Sequence, residues 1–192
     1  MKIKKSLKIS LDKFINLSLY DNKSGFYMKK NPFGKKGDFI TAPNISRLFS
    51  EMIAIWIISF WKSLGSPKKF NLIELGAGNG EMMRVFIESF KRFPSFFSSC
   101  NFIIHEKSPS LVKIQKKKFS KDKIIWTSQI SRIKKNPSIF IANEFFDSIA
   151  IKQFRKNKNQ WFEKYVLFNN KKKASFFEKK INIKKLEKKI NL

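Results

Sequence analysis

The chain has 192 residues, of which 42% are hydrophobic and 15% aromatic, 22 of them Phe; that excludes general disorder and suits one domain or slightly more with a buried core. One Cys (Cys100) and one His (His105) exclude an intramolecular disulfide framework and a zinc site built of His and Cys ligands. The formal net charge is +27, yet only five of the 41 basic residues are Arg and the lysines run from Lys2 to Lys189, a pattern of Lys-rich composition rather than of a nucleic-acid site.

From Ile9 to Leu19 the apolar residues Leu11, Phe14, Ile15 and Leu19 recur at helical spacing, with Ser10 as N-cap and Asp12 in the first turn. Ser10, Asp12, Lys13 and Asn16 also interrupt what would be the apolar region of a signal peptide. Asn22 to Gly25 reads as a turn, and residues 26–43, with Pro32, Gly34, Gly37 and Pro43, as an ordered extended loop. A long helix is expected from Ile45 to Ser63, closed by Leu64-Gly65-Ser66-Pro67. Its run Met52 to Trp61 is the longest apolar one, well short of the ~20 residues that span a bilayer, and reads as a buried helix face.

The pattern then changes to strands alternating with helices. Phe70 to Leu75 is a strand, Glu81 to Phe93 a helix, Asn101 to His105 a strand and Ser110 to Phe119 a helix. Lys123 to Trp126 and Ser138 to Ala142 are two further strands. This alternation predicts a Rossmann-like α/β fold: a parallel sheet with right-handed crossovers and helices on both faces. Ile151 to Phe154 and Trp161 to Phe168 look like a hairpin, and Lys171 to Leu192 like a Lys-rich exposed tail or basic helix. The expected organisation is residues 1–66 as N-terminal helices and a cofactor and substrate loop, 67–168 as an α/β domain, and 169–192 as the tail.

Three of the seven glycines fall in Glu74-Leu75-Gly76-Ala77-Gly78-Asn79-Gly80, directly after the first strand of the alternating region. Glycines at a strand-to-helix turn allow positive φ and let a ligand approach the main chain, at the crevice where α/β sheets bind ligands. The spacing is G-x-G-x-G, not the G-x-G-x-x-G of dinucleotide folds. With Glu74 two positions before the first glycine, the loop suits a ligand with a cationic amino-acid end and no pyrophosphate: S-adenosylmethionine. Glu106, at the end of the second strand, is placed to accept hydrogen bonds from ribose hydroxyls. After the fourth strand, Asn143 and Glu144 offer amide hydrogen bonds and a carboxylate that can pair with a guanidinium or take a proton. Phe145 and Phe146 read as core.

These motifs resemble those of the MidA-like methyltransferases, a family that includes a mitochondrial complex I assembly factor. Leu19-Tyr20 with Gly25-Phe26-Tyr27, Gly37-Asp38-Phe39-Ile40-Thr41-Ala42-Pro43, Glu106-Lys107-Ser108-Pro109 and Ala142-Asn143-Glu144-Phe145-Phe146-Asp147 carry the resemblance in order. It implies a class I S-adenosylmethionine-dependent fold, with Asp38, Thr41, Glu74, Gly76, Gly78, Gly80 and Glu106 at the cofactor and Asn143 and Glu144 at the acceptor. It also implies a protein substrate, an arginine side chain in a subunit of respiratory complex I; no specific nucleic acid is expected, since the sequence shows no recognisable nucleic-acid module. Ala77, Asn79 and Glu81 depart from the Pro, Arg and Thr usual in the family loop, and Asn44 stands where a Glu is usual. The family continues past residue 192, so the sheet is expected to lack its last strands. A non-catalytic assembly module with a retained cofactor fold, or a nucleic-acid-binding methyltransferase, are the alternatives. The compartment expected is a bacterial cytoplasm, or the mitochondrial matrix in a eukaryote.

Overall fold

The computed structural model describes residues 7–29, 32–34, 37–169 and 173–182. In chain order, strand β1 (Leu7–Ser10) leads into helix α1 (Leu11–Tyr20), followed by short helices α2 (Phe26–Lys29) and α3 (Ala42–Ile45) and the long helix α4 (Arg47–Ser63). Then come β2 (Phe70–Leu75), α5 (Glu81–Phe90), α6 (Pro94–Ser99), β3 (Cys100–His105), α7 (Pro109–Lys118), β4 (Ile124–Thr127) and β5 (Ser138–Ile141). The described residues end with β6 (Phe154–Asn157), β7 (Gln160–Phe168) and β8 (Ala174–Ile181). By contacts the described residues divide into 26–147 and a second unit formed by those up to 25 together with those from 148 on.

In the first unit, β4, β3, β2 and β5 form a parallel sheet in that order. All six residues of β2 are buried, as befits a central parallel strand covered on both faces. Alternate residues of the strands face opposite ways. Phe70, Leu72, Phe102 and Ile104 join the main core with Ile57 and Trp61 of α4 and Phe86 and Phe90 of α5. Ile73, Leu75 and Ile103 form a smaller cluster on the other face with Ile133, Ala142 and Phe145. The expected helix from Glu81 to Phe93 stops at Phe90. Pro94 keeps Phe93 out of the helical region (φ −126°, ψ 77°) and opens a separate helix, α6, whose Phe96 packs on Phe90 and Trp61. Helix α4 buries Ala54, Ile57, Ile58 and Trp61 but exposes Met52, Ile55, Trp56 and Phe60, so the run Met52 to Trp61 has an exposed apolar face as well as a buried one.

The second unit is an antiparallel sheet built on β7, with β8 along one edge and β1 and β6 along the other. Helix α1 packs on it through Phe14 against Phe168, and Lys152 bridges Asp12 and Glu163. Three of these strands differ from expectation: β6 starts at Phe154, where the first hairpin strand is expected to end. Residues 174–181 are a strand rather than a tail or basic helix, and Leu7–Ser10 is a strand before α1; residues 183–192 lie outside those described. The reason is cross-strand pairing. Lys179 lies over the Tyr165 ring, Lys164 of β7 over Phe176, and Arg155 pairs with Glu178, so β7 and β6 give Lys179, Phe176 and Glu178 of β8 their partners.

Candidate functional site

The sheet of the first unit sets the site. After Leu75 the chain turns away with Gly76 at φ +68° and Gly78 at φ +54°, the left-handed region that side-chain-bearing residues avoid. Space restricts the same two positions. A Cβ on Gly76 would lie 2.6 Å from the Phe145 ring, and one on Gly78 would lie 3.1 Å from Phe33. The Gly76 N–H donates to the His105 carbonyl (2.9 Å), tying the turn to the end of β3. Gly80 begins α5 as its N-cap.

A narrow cleft opens over this turn. Of the residues singled out in the sequence, Thr41, Glu74, Gly76, Gly78, Asn143 and Glu144 line it together. Asp38, Gly80 and Glu106 are not in its lining: Asp38 is exposed, Gly80 starts a helix, and Glu106 stands at the end of β3. Phe146, expected in the core, is 69% exposed, whereas Phe145 packs on the cluster of Ile73, Leu75 and Ile103. Glu144 holds a left-handed backbone (φ +47°), unusual for a residue with a side chain and the kind of strain that gathers at functional sites.

Glu74 is only 3% exposed, and among the described residues its Oε2 has no hydrogen-bond partner. Burial, and then the charge of Glu106, push its carboxyl up to about 8. Glu106 is itself raised by burial, although its Oε1 accepts from the Lys107 and Ser108 N–H groups at 2.9 Å each. Two carboxyls in so dry a place cannot both ionise cheaply without a cation. The cleft therefore presents a buried carboxyl oxygen that a ligand's ammonium group would satisfy, beside a turn of glycine backbone that a ligand can approach closely.

Phe33, Asn44 and Asn79 also line the cleft, and sequence reading gave none of them a site role. Asn79 Nδ2 donates to Asn44 Oδ1 (2.7 Å), and Asn44 Nδ2 donates to Thr41 Oγ1 (2.8 Å). Asn79 Oδ1 in turn accepts from the Glu81 N–H (3.2 Å). The two Asn that stand out as departures from the resembled pattern thus touch each other. This pair of neutral amides links the α3 segment to the glycine turn. That they are both unusual was the signal that could have paired them.

A family model described as "Putative S-adenosyl-L-methionine-dependent methyltransferase" matches residues 52–191. The chain is similar to the mitochondrial protein arginine methyltransferase NDUFAF7 of Xenopus tropicalis, with 31% identity covering 84% of this chain and 43% of that protein. Its similarity to NDUFAF7 of Homo sapiens is 30% identity over 86% of this chain and 43% of that protein. The chain thus spans less than half the length of these curated relatives. Its fold is similar to that of a Burkholderia thailandensis protein crystallised with S-adenosyl-homocysteine, at a TM-score of 0.71 and 17% identity, covering 91% of this chain and 46% of the other.

Proposed function

We propose, from the premise that this chain belongs to the S-adenosyl-L-methionine-dependent methyltransferase family matched over residues 52–191, that its cleft binds S-adenosylmethionine and serves methyl transfer to an arginine side chain of a protein. The acceptor protein in this reading is a subunit of respiratory complex I. The observation that carries it is the buried Glu74 oxygen without a partner at the glycine turn, which calls for a cationic ligand. The NDUFAF7 relatives, named as protein arginine methyltransferases, support the choice of acceptor.

On this reading Glu74 takes the ligand's ammonium group, the Gly76 and Gly78 backbone lies against its amino-acid end, and Thr41 adds a hydroxyl. Glu106 accepts from the ribose hydroxyls. Asp38 and Gly80 contribute by holding the loop before α3 and the start of α5. Bound there, S-adenosylmethionine supplies an electrophilic methyl group on a sulfonium. The chain's own part is to position the acceptor and balance its charge. Asn143 orients the guanidinium through its amide. Glu144 accepts a hydrogen bond from one guanidinium nitrogen, which makes that nitrogen the better nucleophile, and takes the proton it sheds as its bond to the methyl group forms.

The test is to incubate the 192-residue chain with methyl-labelled S-adenosylmethionine and purified complex I, then to hydrolyse the protein and analyse its amino acids. Label on arginine is expected, falling by about 100-fold in Glu144→Gln, as for loss of a proton acceptor. Binding of S-adenosylhomocysteine with no label transferred would overturn the enzymatic half of the reading and leave a binding module.

A further inference from the structure

Gln115 on α7 is fully buried and does not line the cleft. Its Oε1 accepts from the Trp126 indole at 3.1 Å. An indole N–H can only donate, so this bond decides which way round the amide sits. Nε2 is then turned to the other side, where it donates to the Gly78 carbonyl at 2.9 Å and lies 3.5 Å from Glu106 Oε2. One amide therefore joins the turn after β2, the acidic end of β3 and β4.

The bond to Gly78 has a consequence for the cleft. Glycine leaves one backbone conformation for another at little cost, so the turn needs an outside constraint to keep one shape. In a trans peptide the C=O and N–H point opposite ways. Holding the Gly78 carbonyl toward α7 turns the Asn79 N–H away from α7, and both Gly78 and Asn79 line the cleft. The same Nε2 faces Glu106, so the turn and the carboxylate share one constraint. Apolar packing at position 115 would fill the space and provide neither bond.

We infer that Gln115 is a positioning residue for the cofactor site, holding the Gly78–Asn79 peptide and the Glu106 carboxylate in a single arrangement whose orientation Trp126 sets. The inference rests on the cofactor site proposed above. Gln115→Glu keeps the acceptor for Trp126 but turns a carboxylate oxygen toward the Gly78 carbonyl and Glu106. Trp126→Phe leaves Gln115 in place and removes the bond that orients it.

The experiment titrates the full 192-residue chain and both variants with S-adenosylhomocysteine by calorimetry at pH 8 and pH 6, with thermal melts of each protein at the same pH. Kd is expected to rise at least 10-fold in Gln115→Glu and about 3-fold in Trp126→Phe at pH 8. The ratio of Gln115→Glu to wild type should narrow at pH 6, where the introduced carboxyl is protonated and can donate again. Cooperatively folded variants that bind as tightly as wild type would overturn the inference and leave the cofactor site standing. If Gln115→Glu does not fold, Trp126→Phe decides, and an unchanged Kd there overturns the inference. A folded wild-type chain that does not bind would overturn the cofactor site and this inference with it.

Discussion

A carboxyl held out of water beside a second carboxyl resists ionising, and at Glu74 that resistance acts on folding and on binding in opposite directions. Its pKa in the folded chain, about 8, lies above the ordinary value of 4.5. The group therefore contributes its full stability below about pH 4.5 and loses it as the pH climbs through 8. Glu74→Gln should accordingly raise Tm at pH 8, by about 3 °C or more, and change it little at pH 4, as read by thermal melts. Ligand binding takes the reverse sign. A cationic group prefers the ionised carboxylate, so affinity for S-adenosylhomocysteine should rise by about 10-fold from pH 6 to pH 7 and level off above pH 8. Calorimetric titration across that range checks it; a flat profile would mean that Glu74 does not meet the ligand's cation.

At the scale of elements, the linkage between the α3 segment and the glycine turn is the point most open to test. Asn44→Ala and Asn79→Ala should each destabilise the chain, and the double variant by less than their sum, with a coupling of about 0.5–1 kcal/mol from denaturant melts. Strict additivity would mean that the 2.7 Å contact carries no energy. How far these elements could be read from the chain depended on what stabilises each. β2, β3, α7, β4 and β5 have their own period or apolar run, and the expected bounds match the observed ones closely. β1 and β8 do not. In β8 the lysines look like a solvated tail until β7 supplies Tyr165 for Lys179 and contributes Lys164 to Phe176. The site divides in the same way. Glu74, next to last in β2, and Gly76, Gly78, Asn143 and Glu144, which follow strands, were legible by position, while Phe33 and Asn44 reach the cleft through tertiary packing that no local pattern records. Gln115 is a further case: its neighbours Lys113, Lys116, Lys117 and Lys118 hide a buried amide inside what reads as a polar helix.

For the whole molecule, the excess of 27 positive charges is the dominant electrostatic fact. Two effects of salt compete. Screening weakens the mutual repulsion of the lysines, which favours the compact state, and it also weakens ion pairs such as Arg47 with Glu51 and Glu88. Exposed pairs of this kind contribute little, because water and salt screen them, so relief of repulsion should win. Raising NaCl from about 50 mM to about 500 mM, where the Debye length falls well below 10 Å, should raise Tm by a few degrees. A fall would show that the ion pairs outweigh the repulsion. No helix among the described residues is long and apolar enough to cross a membrane. The parallel sheet with its glycine turn is the part of the chain on which the functional account depends, and that account stands or falls with the ligand it predicts. The most direct measurement is a calorimetric titration of the 192-residue chain with S-adenosylhomocysteine at pH 8, run beside Glu74→Gln. The account predicts saturable one-to-one binding in the wild type, weakened at least 10-fold in a variant that is folded and melts higher. A folded wild-type chain that does not bind, or a variant that binds as tightly as the wild type, would contradict it.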